Sequence, residues 1–239
     1  MIFLPSEPWV LPIAIDEQRV NYEHRDGCLF ERVCAPHHDV RIELAARGFA
    51  FRDKPQRRVL REILHESTGL LAVTPRLNNA VRAAVAEIVL LSAPPAYDIS
   101  HSEPRWPHTI FISVPTRPSE VSALRATENI IHEAMHLQLT MLEHAAPLIV
   151  DRTATMASPW RKEPRQFQGV MHGFYVFRCI AAFFSALAVS GHLNTEGIDH
   201  VRKRREQITE ELSRLDYDRL AKGMTPVGRD FLAALICVS

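Results

Sequence analysis

The sequence predicts a mainly α-helical domain with a small extended portion and a metal site between two long helices. Three observations lead there. Apolar residues recur at helical spacing in most segments after residue 55. A single short run, "TIFISV" at 109–114, has the composition of a strand. Two of the expected long helices carry histidines, one as "HEAMH" at 132–136 and the other as His172.

Residues 1–50 mix prolines, short apolar runs and charged pairs, and read as an extended, turn-rich lead-in. Helices are expected over 55–69 and 74–94. The second has Thr74 at its N-cap, Pro75 in the first turn and Pro94 as its stop. The strand at 109–114 leads toward a helix that starts at Pro118 or Ser119, carries "HEAMH" and ends near His144, before Pro147. Another helix is expected from about Pro164 to Ser190, closed by Gly191. A further one runs from Asn194 through Leu220, and a last one covers 226–238. With 239 residues, 46% of them apolar, the chain can bury a sizeable core, and one domain spanning 1–239 is expected.

Charge excludes some partners. Lys+Arg and Asp+Glu both number 28, so no net field draws the chain to nucleic acid or a membrane surface. The basic run "RKRRE" is followed by Glu206, Glu210 and Glu211 over an apolar stripe of Ile198, Val201, Ile208, Leu212 and Leu215. That pattern is a solvated helix face, not a nucleic-acid patch. The start has three prolines in twelve residues and no cationic lead, unlike a signal peptide, and the apolar run at 179–189 is too short to span a bilayer. Four cysteines without secretory signs suggest reduced thiols and a cytoplasmic protein. Cys28, Cys34, His37 and His38 have a spacing that fits no compact zinc knuckle.

On a helix, residues four apart share a face, so His132 and His136 can direct imidazole nitrogens at one ion. Glu133 lies about 100° around the helix. There it serves either as a base acting on metal-bound water or as a partner to a ligand histidine. Arg125, Glu128, Asn129, His132, His136, Thr140 and Glu143 fall on one polar stripe, with Ala123, Ile130, Ala134, Leu137 and Met141 opposite. The plain alternative is a surface helix with that stripe in water.

A site needs a third ligand. Leu142 stands where the metzincin pattern has its third histidine. Glu163 is conceivable as a glutamate ligand but precedes the next helix. His172 is better placed: with Pro164 in the first helical turn, Arg165, Gln168, His172 and Tyr175 share one face. A hydrogen-bonded core histidine is the alternative. Three neutral imidazoles leave open positions on zinc with a water, or on ferrous iron with a chelating co-substrate. Arg161 and Arg165 lie shortly before His172, and an arginine fork suits a carboxylate; a surface ion pair with Glu163 is the competing role.

The blocks "YDISHSEPRWPHTIFISVP", "LRATENIIHEAMHLQLTMLE" and "SPWRKEPRQFQGVMHGFYVFRC" together resemble the HExxH-motif peptide-modifying proteins of bacterial peptide natural-product pathways, described as 2-oxoglutarate-dependent peptide β-hydroxylases. The resemblance covers roughly residues 97–190. It implies that His132, His136 and His172 hold Fe(II), that Arg161 or Arg165 grips 2-oxoglutarate, and that the substrate is a ribosomally made peptide hydroxylated at a side-chain β-carbon. A leader segment or partner protein is a possible escort for that peptide. This chain has Gln166 where the family block has proline after its second arginine. His101 and Tyr175 are the candidate peptide contacts; for His101, as for His108, capping of the strand is the plainer role. In this scheme Glu133 supports a ligand histidine. The rivals are a zinc metallopeptidase with Glu133 as general base, and a non-enzymatic binding module with a degenerate site.

Overall fold

A computed structural model of the protein describes residues 28–94 and 97–237. The fold is mainly helical, at 60%, with eight α-helices among the described residues and a small sheet portion. Residues 1–27 of the lead-in lie outside the described residues. The rest of it is more regular than expected: a 3-10 turn Leu29–Arg32, strand β1 (Val33–Cys34) and helix α1 (His38–Ala46). Only Leu44 of α1 is fully buried, so no apolar stripe marks that helix in the sequence.

Helix α2 (Arg57–Ala72) buries Leu60, Ile63, Leu64, Leu70 and Leu71 at helical spacing. Helix α3 (Pro75–Ala84) opens on its proline but ends at Ala84, not at Pro94. The residues expected to extend it are strand β2 (Glu87–Leu91). The cause is its location. β2 lies between β1 and strand β4 (Thr109–Ser113), parallel to both, and is covered on both faces. A doubly buried strand carries a continuous apolar run with no alternation to tell it from a helix. Strand β3 (Ser100–Ser102) pairs antiparallel with β4 and forms the far edge, giving the order β1-β2-β4-β3. Ile88, Leu90, Ile110 and Ile112 face the main core of helices. Val89, Leu91 and Phe111 point to the other face and pack with Leu44 of α1.

Helix α4 (Glu120–Ala145) begins where Ser119 Oγ accepts the Ser122 N–H at 3.1 Å. It is the hub of the fold, touching α2, α3, β3 and β4 as well as the later helices α5 (Phe167–Ser190) and α6 (Thr195–Ser213). α5 ends at Gly191, whose φ of 72° is the left-handed stop expected there. Its start differs from expectation. Residues 155–166 form a hairpin, β5 (Thr155–Ser158) and β6 (Arg161–Gln166), around Pro159 and Trp160. The ladder shifts register near Pro164, which has no N–H to give. Arg165 is therefore on a strand, not in the first turn of α5.

By length and composition α5 is apolar enough to cross a membrane, longer than the 179–189 run suggested, and half of that window is buried inside the fold. Val170, Met171, Phe174, Tyr175, Val176 and Cys179 all lie in the main core. The helix expected from Asn194 through Leu220 is two. α6 is capped by Asn194, and after Arg214 the Asp216 side chain caps α7 (Tyr217–Lys222). Helix α8 (Pro226–Ile236) follows as expected.

Candidate active site

A cleft of about 300 Å³ opens between α4, the β3 edge, β6 and α5. Its lining includes His132, Glu133 and His136 from α4, His172 from α5, Arg161 and Arg165 from β6, and residues 100–104 along β3. Residues from four separate elements thus meet in one place. Tyr175 does not join them. It is fully buried one turn beyond His172, and its hydroxyl donates to Gln138 Oε1 at 2.6 Å. It belongs to the buried core and does not line the cleft.

The polar stripe of α4 is not a solvated face. Asn129, Glu133 and Glu143 are each less than a tenth exposed, whereas Met141, expected on the apolar side, is 44% exposed. Burying that many polar groups is unfavourable unless each finds a partner. Asn129 donates to the Ser113 carbonyl of β4, Glu133 accepts from Ser102 of β3, and Glu143 accepts from Gln168 and His172 of α5.

His136 and His172 approach at Nδ1 to Nδ1, 3.2 Å, with rings stacked at 18°. Two nitrogens held about 2.0–2.1 Å from a tetrahedral ion stand about 3.4 Å apart, so this pair already has the separation of two ligands on one metal. His132 stands edge-on to His136, ring centroids 4.8 Å apart. Among the described residues, no three His, Cys, Asp or Glu side chains are yet gathered at metal-binding spacing. The chemistry of the donors nonetheless fits a cation. Burial pushes the His136 imidazole well below its ordinary range, and His132, His172, Arg165 and His101 push it the same way, so it is neutral and keeps a lone pair.

Glu143 was placed on the stripe by the sequence but given no task there. Its Oε2 accepts from His172 Nε2 at 2.9 Å and from Gln168 Nε2 at 2.6 Å. Burial raises the Glu143 carboxyl, but the hydrogen bond and charge of His172 and the bond from Gln168 outweigh it and hold the group below its usual range. With Nε2–H given to the carboxylate, it is Nδ1 of His172 that faces His136 and is the nitrogen offered to a cation once the ring is neutral. That is the tautomer-fixing arrangement of ligand histidines. The signal was legible: Glu143 lies two helical turns past His136 on the same face.

Glu133 is anchored on its other side. Ser102 Oγ donates to Glu133 Oε2 at 2.6 Å, and Glu133 Oε1 lies 4.0 Å from His132 Nε2. His101, the neighbouring β3 residue, turns its ring to Phe49 and Phe111 on the opposite sheet face. Its Nε2 sits 3.0 Å from Glu103, which also bonds Arg47 and Arg105. His108 sits in the turn before β4, with φ 63° and Nδ1 3.2 Å from the Ala84 carbonyl, and does not line the cleft.

Both arginines of the hairpin face the cleft, and among the described residues neither has an ion-pair partner, Glu163 included. Arg165 is the more enclosed. Its guanidinium lies over Gly169, where an added Cβ would come within 3.3 Å of it. Burial, and then the charge of Arg161, pull its pKa below the ordinary value, yet a guanidinium stays charged. A half-buried guanidinium beside a second, exposed one, with no carboxylate partner, is unfavourable alone and favourable around an anion.

Compared with known proteins, the chain matches no protein-family model. No curated protein matches it either.

Proposed function

We propose that the protein is an Fe(II)- and 2-oxoglutarate-dependent oxygenase that hydroxylates a side-chain β-carbon of a peptide. One observation carries the reading: imidazoles from two helices, with that of His136 held neutral by its burial, and two arginines without carboxylate partners share a single cleft. His132, His136 and His172 would hold the metal, and Arg165 and Arg161 would hold the carboxylate of the keto acid. Bound there, iron with 2-oxoglutarate supplies oxidative chemistry, consuming O2 and releasing succinate and CO2 as a C–H bond becomes C–OH. The residues do the rest. Glu143 fixes the His172 tautomer, Ser102 fixes Glu133, and the arginines orient the dianion.

A peptide suits the open side of the cleft. Ser113 donates to the Ile99 carbonyl, and His101 is paired with Phe111 across the β3–β4 ladder. By antiparallel alternation the N–H and C=O groups of Ser100 and Ser102 point away from β4, along the free edge. An extended chain satisfies such an edge with its own backbone.

Anaerobic addition of Fe(II) and then 2-oxoglutarate to the metal-free protein tests the reading. A weak visible charge-transfer band that requires both additions is expected. Its absence, with cleavage of test peptides by a zinc-loaded sample, replaces the oxygenase with a metallopeptidase. That second reading has one observation in its favour, the Glu133 carboxylate lining the cleft beside His132. The oxygenase reading gives the two arginines a required dianionic partner in the keto acid, whereas the peptidase calls on them only for an acidic peptide group, which is why it ranks second.

A further inference from the structure

Helix α5 carries glycines one turn apart, Gly169 and Gly173, flanking His172, and the β5–β6 hairpin lies on both. At Gly169 the covering group is the Arg165 guanidinium. At Gly173 it is Trp160, from the hairpin tip, so close that an added Cβ would stand 2.7 Å from the indole ring. Trp160 also stacks on Phe177, centroids 5.2 Å apart and planes at 18°, and Phe177 meets the His132 ring edge-on at 5.7 Å. A column of aromatic rings therefore runs from the hairpin tip to a histidine of the cleft. The strand immediately after Trp160 carries Arg161 and Arg165.

We propose that Trp160, seated in the notch left by Gly173, is a positioning residue that fixes the hairpin so that Arg161 and Arg165 face the imidazoles. The ladder of the hairpin is irregular beside Pro164, so its own hydrogen bonds define the place of β6 weakly. Packing against α5 supplies what the ladder lacks. Smaller residues at 173 are impossible and larger ones lift the ring. The inference rests on the oxygenase reading only for the identity of the anion, 2-oxoglutarate.

Gly173→Ala tests it with little risk to the helix, because alanine is the better helix former. Trp160→Ala removes the ring, and Trp160→Phe restores a flat ring while deleting an indole N–H that is buried without an acceptor among the described residues. Four quantities are measured on the full chain: the Kd for Co(II), the Kd for 2-oxoglutarate with Co(II) present, amide exchange in the hairpin and in α4, and the thermal midpoint. Displacement of the arginines by about an ångström is expected to weaken 2-oxoglutarate about tenfold to a hundredfold in Gly173→Ala and Trp160→Ala. Exchange in 161–166 is expected to quicken in the same variants, with Co(II) affinity and exchange in α4 unchanged and Trp160→Phe close to the parent. A merely structural role would lower Co(II) affinity and thermal midpoint alongside. Unaltered 2-oxoglutarate binding and exchange in both disrupting variants overturns the inference and leaves the oxygenase reading standing. If the parent itself binds no 2-oxoglutarate, that reading falls, and the exchange data alone decide the seating: quickening confined to the hairpin supports it, and no change overturns it.

Discussion

His172 donates its Nε2–H to the Glu143 carboxylate at 2.9 Å, and the ring's other nitrogen, Nδ1, faces His136 Nδ1 at 3.2 Å. A ligand imidazole held in this way is more basic and has lost its freedom to rotate. Glu143→Gln keeps an oxygen acceptor and removes the charge; metal affinity is expected to fall about tenfold to a hundredfold. Glu143→Ala also leaves the His172 and Gln168 donors unpaired in a buried site, adding a stability loss of about 1–3 kcal/mol. Titration with Co(II), followed by urea unfolding of the same samples, separates the two effects. Equal metal affinity in parent and Glu143→Gln would remove Glu143 from the site.

Glu133 discriminates between the chemistries. In the oxygenase it buttresses the cleft through Ser102 and need not move a proton, so Glu133→Gln is expected to retain metal binding and part of the succinate-forming turnover. As a general base it would account for about 10²–10⁴ of the rate, and its amide would abolish hydrolysis. Succinate formation and peptide cleavage measured side by side in the variant decide which role it has.

Arg165 and Arg161 are not equivalent. Arg165 is half-buried and laid over Gly169, while Arg161 is exposed. Interactions of a desolvated charge are less screened. Arg165→Ala is therefore expected to weaken 2-oxoglutarate by about a hundredfold and Arg161→Ala by about tenfold or less. Arg165→Lys should recover little, since an ammonium lacks the planar fork. Equilibrium titration with metal present measures all three; the reverse ranking would assign the carboxylate to Arg161.

Most of the helices, and the placing of His132 and His136 on one face of α4, were legible because they rest on local signals: caps at Ser119 and Asn194, the stop at Gly191, and the i, i+4 spacing of the two histidines. What escaped depends on partners distant in sequence. "EIVLL" is a strand only because β1 and β4 flank it. "RKEPRQ" has no β-branched or aromatic residue and is a strand only because Thr155–Ser158 pairs with it, so the Pro164 signal for a helix start was outweighed. The same error put Arg165 on a helix face shared with Tyr175. Arg165 still reaches the cleft because the hairpin folds back over α5, whereas Tyr175 continues along α5 into the core.

The burial of His136 has a consequence for stability. Its folded-state pKa lies well below the ordinary value, so between that pKa and about 6.5 the unfolded chain binds a proton that the folded protein does not. Stability contributed by this residue is thus full above about pH 6.5 and falls as pH drops, at up to about 1.4 kcal/mol per pH unit. His200, lowered by burial and then by Arg125 and Arg204, acts in the same direction with more solvent screening. Glu143 adds to the loss only below its own unfolded value, and Glu128, raised by burial, opposes it. A variant isolates His136 from these. Metal-free parent protein is expected to show a lower urea midpoint at pH 5.5 than at pH 7.5, and His136→Gln, which cannot take up a proton, a distinctly smaller drop. Identical drops in the two proteins would mean that His136 is protonated in the fold as readily as outside it, and the neutral imidazole assigned to the metal position would be lost.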